Sequence, residues 1–150
     1  MAFGAVRVGH PEIDAQHEAI AQLVEDLRDA VERADLRGAQ AEVEALWSAS
    51  VSHFATEEAL MEEHCYPERN PHRTAHHLFL EDLKALVQAI ADRGLTEEVA
   101  GWAVRRVPEW IAFHVETNDV PLARYLARRA APGAAAASPG PDVPRRRSDA

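Results

Sequence analysis

The sequence predicts an all-α protein: an up-and-down antiparallel four-helix bundle with an N-terminal arm and a disordered C-terminal tail. Three observations lead there. Apolar residues recur three and four apart over long stretches and do not alternate. Glycine and proline are sparse and fall mostly between those stretches. The links left between them are short, which turns consecutive helices back on one another. With 150 residues the chain suits one domain and is long enough to bury a core. We place that domain over residues 1–131 and the tail over 132–150.

The first helix is expected from about Glu12 to Ala34, with Ile13, Ile20, Leu23, Val24, Leu27 and Val31 on one stripe. Asp35 to Gly38 breaks it. A second helix is expected from about Ala39 to His64, carrying Val43, Leu46, Trp47, Val51, Phe54, Leu60 and Met61 on a broad face. Cys65 to Pro71, with two prolines and Asn70, makes the next connection. The third helix fits Pro71 to Arg93, with Pro71 near its first turn and Gly94 just past its end. Its stripe is Leu78, Phe79, Leu83, Leu86, Val87 and Ile90. Thr96 followed by Glu97 and Glu98 reads as an N-cap with acids in the first turn, opening a fourth helix that continues to about Ala130. The remainder, APGAAAASPGPDVPRRRSDA, lacks bulky apolar residues and is expected to be disordered.

Composition narrows the function classes. The net charge is −9, and removing the tail, with Arg145, Arg146, Arg147, Asp142 and Asp149, leaves 13 bases against 23 acids, or −10. So acidic a domain is a poor nucleic-acid partner. No apolar run approaches the ~20 residues that span a bilayer, so no membrane partner is expected. A single cysteine, Cys65, read as a partly buried free thiol near a helix end, excludes an internal disulfide and fits a reducing compartment. Met1 to Gly9 does not read as a secretory leader, and the expected location is the cytoplasm.

Eight histidines prompt a search for ligand pairs at helical spacing. His53 and Glu57 stand four apart on the second helix, and His72 and His76 four apart on the third. Either pair alone is weak, since such spacings occur on solvated faces. The other two helices strengthen the case. His17 falls on the core stripe between Ile13 and Ile20, and His114 sits among Trp110, Ile111, Phe113 and Val115, with Asp119 five residues on. A core histidine with one hydrogen bond, or an aspartate forming a turn before Pro121, explains each singly. All four helices aiming such a group inward is harder to explain without metal, because an unpaired buried polar group costs about 1 to 3 kcal/mol.

Five imidazoles and two carboxylates are too many for one ion, but two ions sharing both carboxylates use them all. One ion then takes His72, His76 and His114 and is closed. The other takes His17 and His53 and keeps a vacant position for a small molecule. His10, His64 and His77 read as surface or supporting residues; His77 is five from His72 and faces elsewhere. Phe54, Trp110, Ile111 and Phe113 are candidates for an apolar lining, or for simple core packing.

The segments VGHPEIDAQH, HFATEE, HRTAH and WIAFHVETND resemble the bacterial hemerythrins over about Phe3 to Tyr125. The resemblance implies a non-haem centre of two iron ions with a bridging hydroxide or oxide, held by His17, His53, Glu57, His72, His76, His114 and Asp119. It also implies reversible binding of dioxygen, as carrier, store or sensor, at the iron held by His17 and His53. Two departures stand out: the arm has Phe3 where a tryptophan is common, and Pro121 follows the aspartate closely. The competing readings are an enzyme on the same scaffold (a di-iron oxidase, a peroxidase or a nitric oxide handling catalyst) and an iron store or structural metal domain. A histidine-rich set argues against the carboxylate-rich oxygen-activating enzymes, and a vacant position argues against a structural site. A protein partner reached through the tail is left open.

One geometric expectation follows from His114 and Asp119. Five residues turn an α-helix through roughly 500°, which leaves the two side chains about 140° apart. A π-bulge would bring them to one face, and Pro121 has no N–H for the Thr117 carbonyl. Helix four is therefore expected to leave α geometry between His114 and Pro121.

Overall fold

A computed structural model of the chain describes residues 7–131. The tail expected over 132–150, with Arg145 to Arg147, and Phe3 of the arm lie outside the described residues. Within them there are four long helical runs and no strand. α1 spans Pro11–Glu32, α2 Leu36–Glu63 and α3 Arg69–Arg93. The fourth helix is continuous from Glu97 to Ala130 but made of five segments: α over Glu97–Gly101, π over Trp102–Arg106, α over Val107–His114, π over Val115–Asp119 and α over Val120–Ala130. Links of three to five residues reverse the chain each time, and α1 lies between α2 and the fourth helix. No helix among the described residues is long and apolar enough to cross a membrane.

The helix ends explain why the chain turns where it does. Asp35 caps α2, its side chain accepting from the Gly38 N–H. The expected break at Asp35 to Gly38 is therefore shorter than the sequence suggested: Gly38 is already inside the first turn of α2. α1 and α2 both end with a left-handed residue that is not glycine, Ala34 at φ 52° and Cys65 at φ 51°. At each, two backbone bonds close the turn: Ala34 N–H to Val31 O with Asp35 N–H to Ala30 O, and Cys65 N–H to Glu62 O with Tyr66 N–H to Met61 O. Cys65 is exposed at this turn, which corrects the partly buried thiol. α3 ends at Gly94, as expected, in a backbone region (φ 69°, ψ −159°) that only glycine reaches readily. Thr96 accepts from the Val99 N–H and opens the fourth helix.

Inside the bundle the apolar residues form two clusters. The larger runs through Val24, Leu27, Leu46, Phe79, Leu83, Leu86 and Ile90; the smaller, at one end, holds Ile13, Met61, Tyr66, Leu122 and Leu126. A layer of buried polar residues separates them: His17, His53, Glu57, His72, His76, His114 and Asp119. Four residues expected on apolar stripes or linings point out: Trp47, Val51, Leu78 and Phe113. On α2 the inward row is Val43, Leu46, Ser50, His53, Glu57 and Met61, so Trp47 and Val51 fall on its shoulder.

The two π segments set the register of the fourth helix. Its buried row is Val99, Ala103, Val107, Ile111, Val115 and Asp119, each four residues from the last. Five α-turns contain about 18 residues, so in an unbroken α-helix Asp119 would sit about 200° round from Val99, on the far side. Each π turn admits one extra residue, and two of them restore the row to one face. The second, closed by the Val120 N–H on Val115 O, is the bulge expected between His114 and Pro121. The first, closed by the Val107 N–H on Trp102 O, was not expected.

A left-handed L-residue costs about 1 to 2 kcal/mol, of which glycine's greater unfolded-state freedom takes back part. Ala34→Gly and Cys65→Gly should therefore each raise stability by about 0.5 to 1 kcal/mol, and Gly94→Ala should lower it by at least about 1 kcal/mol. Urea unfolding of the full chain measures all three; an unchanged or lowered midpoint in both glycine variants would contradict the role given to these turns.

Candidate metal centre

Each ligand candidate reaches the polar layer from a different helical address. α1 supplies His17; α2 supplies His53 and Glu57 one turn apart; α3 supplies His72 and His76 likewise. His76 is buried and His77 is on the solvent face, its side chain 80% exposed beside Glu81, as the spacing required. The π turn brings Asp119 under His114, with Asp119 Oδ1 3.0 Å from His114 Nε2. All seven predicted residues are thus brought together. Of the histidines set aside, His10 caps α1 through Nδ1, 3.4 Å from the Ile13 N, and His64 offers its carbonyl to the Tyr125 hydroxyl at 2.7 Å.

The two carboxylates divide the histidines into two groups. Asp119 Oδ2 lies 2.9 Å from His17 Nε2 and 4.0 Å from His53 Nε2, while Oδ1 lies 3.1 Å from His72 Nε2. Glu57 Oε1 faces His53 Nε2 at 3.4 Å, and Oε2 faces His76 Nε2 at 3.0 Å and His72 Nε2 at 3.3 Å. Each carboxylate therefore turns one oxygen to either side. The groups able to hold an ion are Glu57, His72, His76, His114 and Asp119 on one side and His17, His53, Glu57 and Asp119 on the other.

Residues that the sequence reading passed over fix the rings. Gln16 Oε1 accepts from His53 Nδ1 at 2.7 Å, and its amide donates to Thr56 Oγ1 at 3.0 Å. Glu58 Oε1 accepts from His76 Nδ1 at 3.1 Å, and the Asn118 amide lies 3.3 Å from His114 Nδ1. Such partners set which ring nitrogen keeps its lone pair. Phe54 stacks on His76 with centroids 3.9 Å apart, and Trp110 stacks on His114 at 4.8 Å. The sequence signal for the polar partners was slight: each is next to a ligand or within four residues of one, but so are many solvated residues.

These contacts test whether the site fits metal. With the Nδ1 protons of His53 and His76 turned to Gln16 and Glu58, both Nε2 atoms present lone pairs to carboxylate oxygens. Two acceptors that close repel unless a cation or a proton lies between them. Burial first, and then the neighbouring histidines, lower the pKa of His53 to about 3 and push His76 down as well, so neither ring holds that proton near neutral pH. Glu57 is raised by burial and by Asp119, and its buried Oε1 accepts no hydrogen bond among the described residues. For His72, burial works against the charged form, but hydrogen bonds to Asp119 and Glu57 outweigh it and raise the pKa to about 9. Burial would raise Asp119, yet the bonds from His114, His17 and His72 hold it well below the usual carboxylate range. The donor set of imidazole nitrogens and shared carboxylates fits metal cations at both groups.

A small cavity opens on one side of this layer. It holds about 20 Å³, room for about one water-sized molecule, and touches His17, His53, His114 and Asp119 but not His72, His76 or Glu57. Ile20, Phe54, Phe79, Trp110, Ile111 and Val115 make the rest apolar, apart from Ser50. Phe54, Trp110 and Ile111 thus lie where a lining was expected; Phe113, 66% exposed, does not.

Comparison with known proteins gives the family. Two curated relatives are bacteriohemerythrins. That of Ralstonia nicotianae is 32% identical over 127 residues, covering 83% of this chain and 87% of its own. That of Pseudomonas aeruginosa is 30% identical over 117 residues, covering 76% of this chain and 72% of its own. Residues 8–126, from the arm through all seven candidate ligands, match the family model described as the hemerythrin HHE cation binding domain, and the chain belongs to the hemerythrin family.

Proposed function

We propose that this chain binds dioxygen reversibly at a centre of two iron ions, as a carrier, store or sensor and not as an enzyme. One observation carries the reading: the ligands divide three histidines against two about a pair of shared carboxylates, and the cavity touches both histidines of the smaller group and, of the larger, only His114. His72, His76 and His114 with Glu57 and Asp119 would hold one iron; His17 and His53 with the same carboxylates would hold the other, with a position to spare. The paired irons would supply electrons to a bound oxygen molecule and take them back on its release.

The protein's part is to confine that exchange. Gln16 and Glu58 orient His53 and His76, and the stacked Phe54 and Trp110 hold ring planes that a small displacement would spoil. Ile20, Phe54, Phe79, Ile111 and Val115 keep the cavity apolar, which disfavours water and charged by-products beside the ions. Histidine-rich donors support this reading over an oxidase or peroxidase, whose sites are richer in carboxylate. The deciding measurement is the visible spectrum of the reduced, iron-loaded chain before air, after air and after deoxygenation. Colour that appears and then vanishes fits the proposal; irreversible colour, or turnover of peroxide or nitric oxide, sinks it.

Two further outcomes follow. Iron titration of the apo chain should saturate at two ions; Glu57→Ala and Asp119→Ala should each hold one or none, and His77→Ala should keep the oxygenated spectrum. A saturation at one ion in the unaltered chain would end the paired-ion reading.

Metal loading should also release protons. Without metal, His72 has a pKa of about 9 and is protonated at pH 7, whereas a ligand imidazole must be neutral. Its contribution to apo stability is therefore complete below the ordinary histidine value and is lost as pH rises through about 9. Metal affinity should in turn increase with pH up to about 9. Calorimetry in two buffers of different ionisation enthalpy should report at least one proton released per chain at pH 7; none released would show His72 neutral in the apo chain.

A further inference from the structure

Ser50 stands apart from the other hydroxyls of the bundle. It is 1% exposed, lies on α2 three residues before His53, and therefore shares that ligand's face. Its Oγ has no hydrogen-bond partner among the described residues. A buried helical hydroxyl ordinarily bonds the carbonyl four residues back. Thr56, Thr74 and Thr117, though none of them is buried, all make that bond, to Ser52, Asn70 and Phe113 at 3.2, 3.0 and 2.7 Å. Ser50 does not, and it lines the cavity beside His17 and His53. Buried polar groups left without a partner are rare, and one facing a ligand cavity invites a ligand.

The chemistry of the lining narrows what that ligand is. Once His17, His53, His114 and Asp119 are assigned to the ions, the remaining residues are apolar save for Ser50 and the indole N–H of Trp110, whose ring lies flat on His114. A hydroxyl can donate to an acceptor atom while its own oxygen asks little in return. We propose that the Ser50 hydroxyl donates a hydrogen bond to the ligand in this cavity, and so favours small anions and other small acceptor-bearing molecules. The proposal deepens the functional reading above and rests on it. Ser50 adds discrimination that an apolar lining lacks: it rewards a ligand that gains negative charge on binding, because hydrogen bonds to charged acceptors are the stronger ones.

Azide is a suitable probe, titrated into the oxidised, iron-loaded full chain and followed by its visible absorption band and its infrared stretching band. Ser50→Ala should weaken azide binding roughly ten- to a hundredfold, the range of one hydrogen bond to a charged group, and shift the azide stretch. Ser50→Thr, which keeps the hydroxyl, should restore both. The apo form of Ser50→Ala should melt at or above the unaltered chain, since no protein partner is lost. Azide affinity and stretch both unchanged in Ser50→Ala would overturn the inference and leave the metal centre standing. A marked fall in the apo melting temperature would assign the hydroxyl a structural bond and overturn it too. No azide band in the unaltered iron-loaded chain would overturn the reading of a small-molecule position at the iron and the inference together.

Discussion

The polar layer holds more acceptors than protons, and the rest of the bundle is arranged around that shortage. Glu57 and Asp119 bring four carboxylate oxygens into a space closed above and below by apolar clusters, and five imidazole Nε2 atoms face them. Partners outside the layer claim the Nδ1 protons of at least His53 and His76. Without metal, His72 answers by keeping a proton and Glu57 by moving toward one. That arrangement is a poor substitute for cations: one charged imidazole cannot meet oxygens that point to two sides. The side chains are placed instead for metal cations on either side of a shared pair of carboxylates.

Holding a carboxylate in that layer from the fourth helix requires a helix of abnormal pitch. A buried residue every four positions from Val99 to Asp119 keeps one face inward only if the backbone gains one residue twice in five turns. The second gain occurs at the ligands. The first, over Trp102 to Arg106, lies well away from them and corrects the phase before the helix reaches Ile111 and His114. The candidate ligand Asp119 is thereby linked to a backbone irregularity some three turns earlier, where Arg106 lies over the Trp102 ring.

Much of this was legible in the sequence, for reasons that can be named. The seven ligand candidates were found because helical spacing is a strong constraint: two residues four apart must share a face, and four separate helices each offered such a group. The bulge near Asp119 was legible because five-residue spacing contradicts α geometry. The strict four-residue row from Val99 carried the same contradiction and was not used, so the first π segment went unseen. Trp47, Val51, Leu78 and Phe113 were misjudged because hydrophobicity says a residue prefers burial, while a helix has room for only one inward row. Gln16, Glu58 and Asn118 could not be singled out, since their role depends on which ring nitrogen they meet across a helix interface. Ser50 lay on the 46, 50, 53, 57 row of α2 but is small and polar, and so was read past.

The inequality of the two groups of candidate ligands is the last step from structure to chemistry. Both groups include Glu57 and Asp119, so they differ by one histidine, and α3 supplies two of the three in the larger group. α3 contributes two candidate ligands four residues apart, whereas α1 contributes His17 alone, with Ile13 and Ala21 four residues to either side and Ile20 three residues on. Ile20 lines the cavity together with Phe54, Phe79 and Ile111. The smaller group of candidate ligands and the apolar lining therefore lie together: the side with two histidines is the side on which the cavity offers dry space to a small molecule.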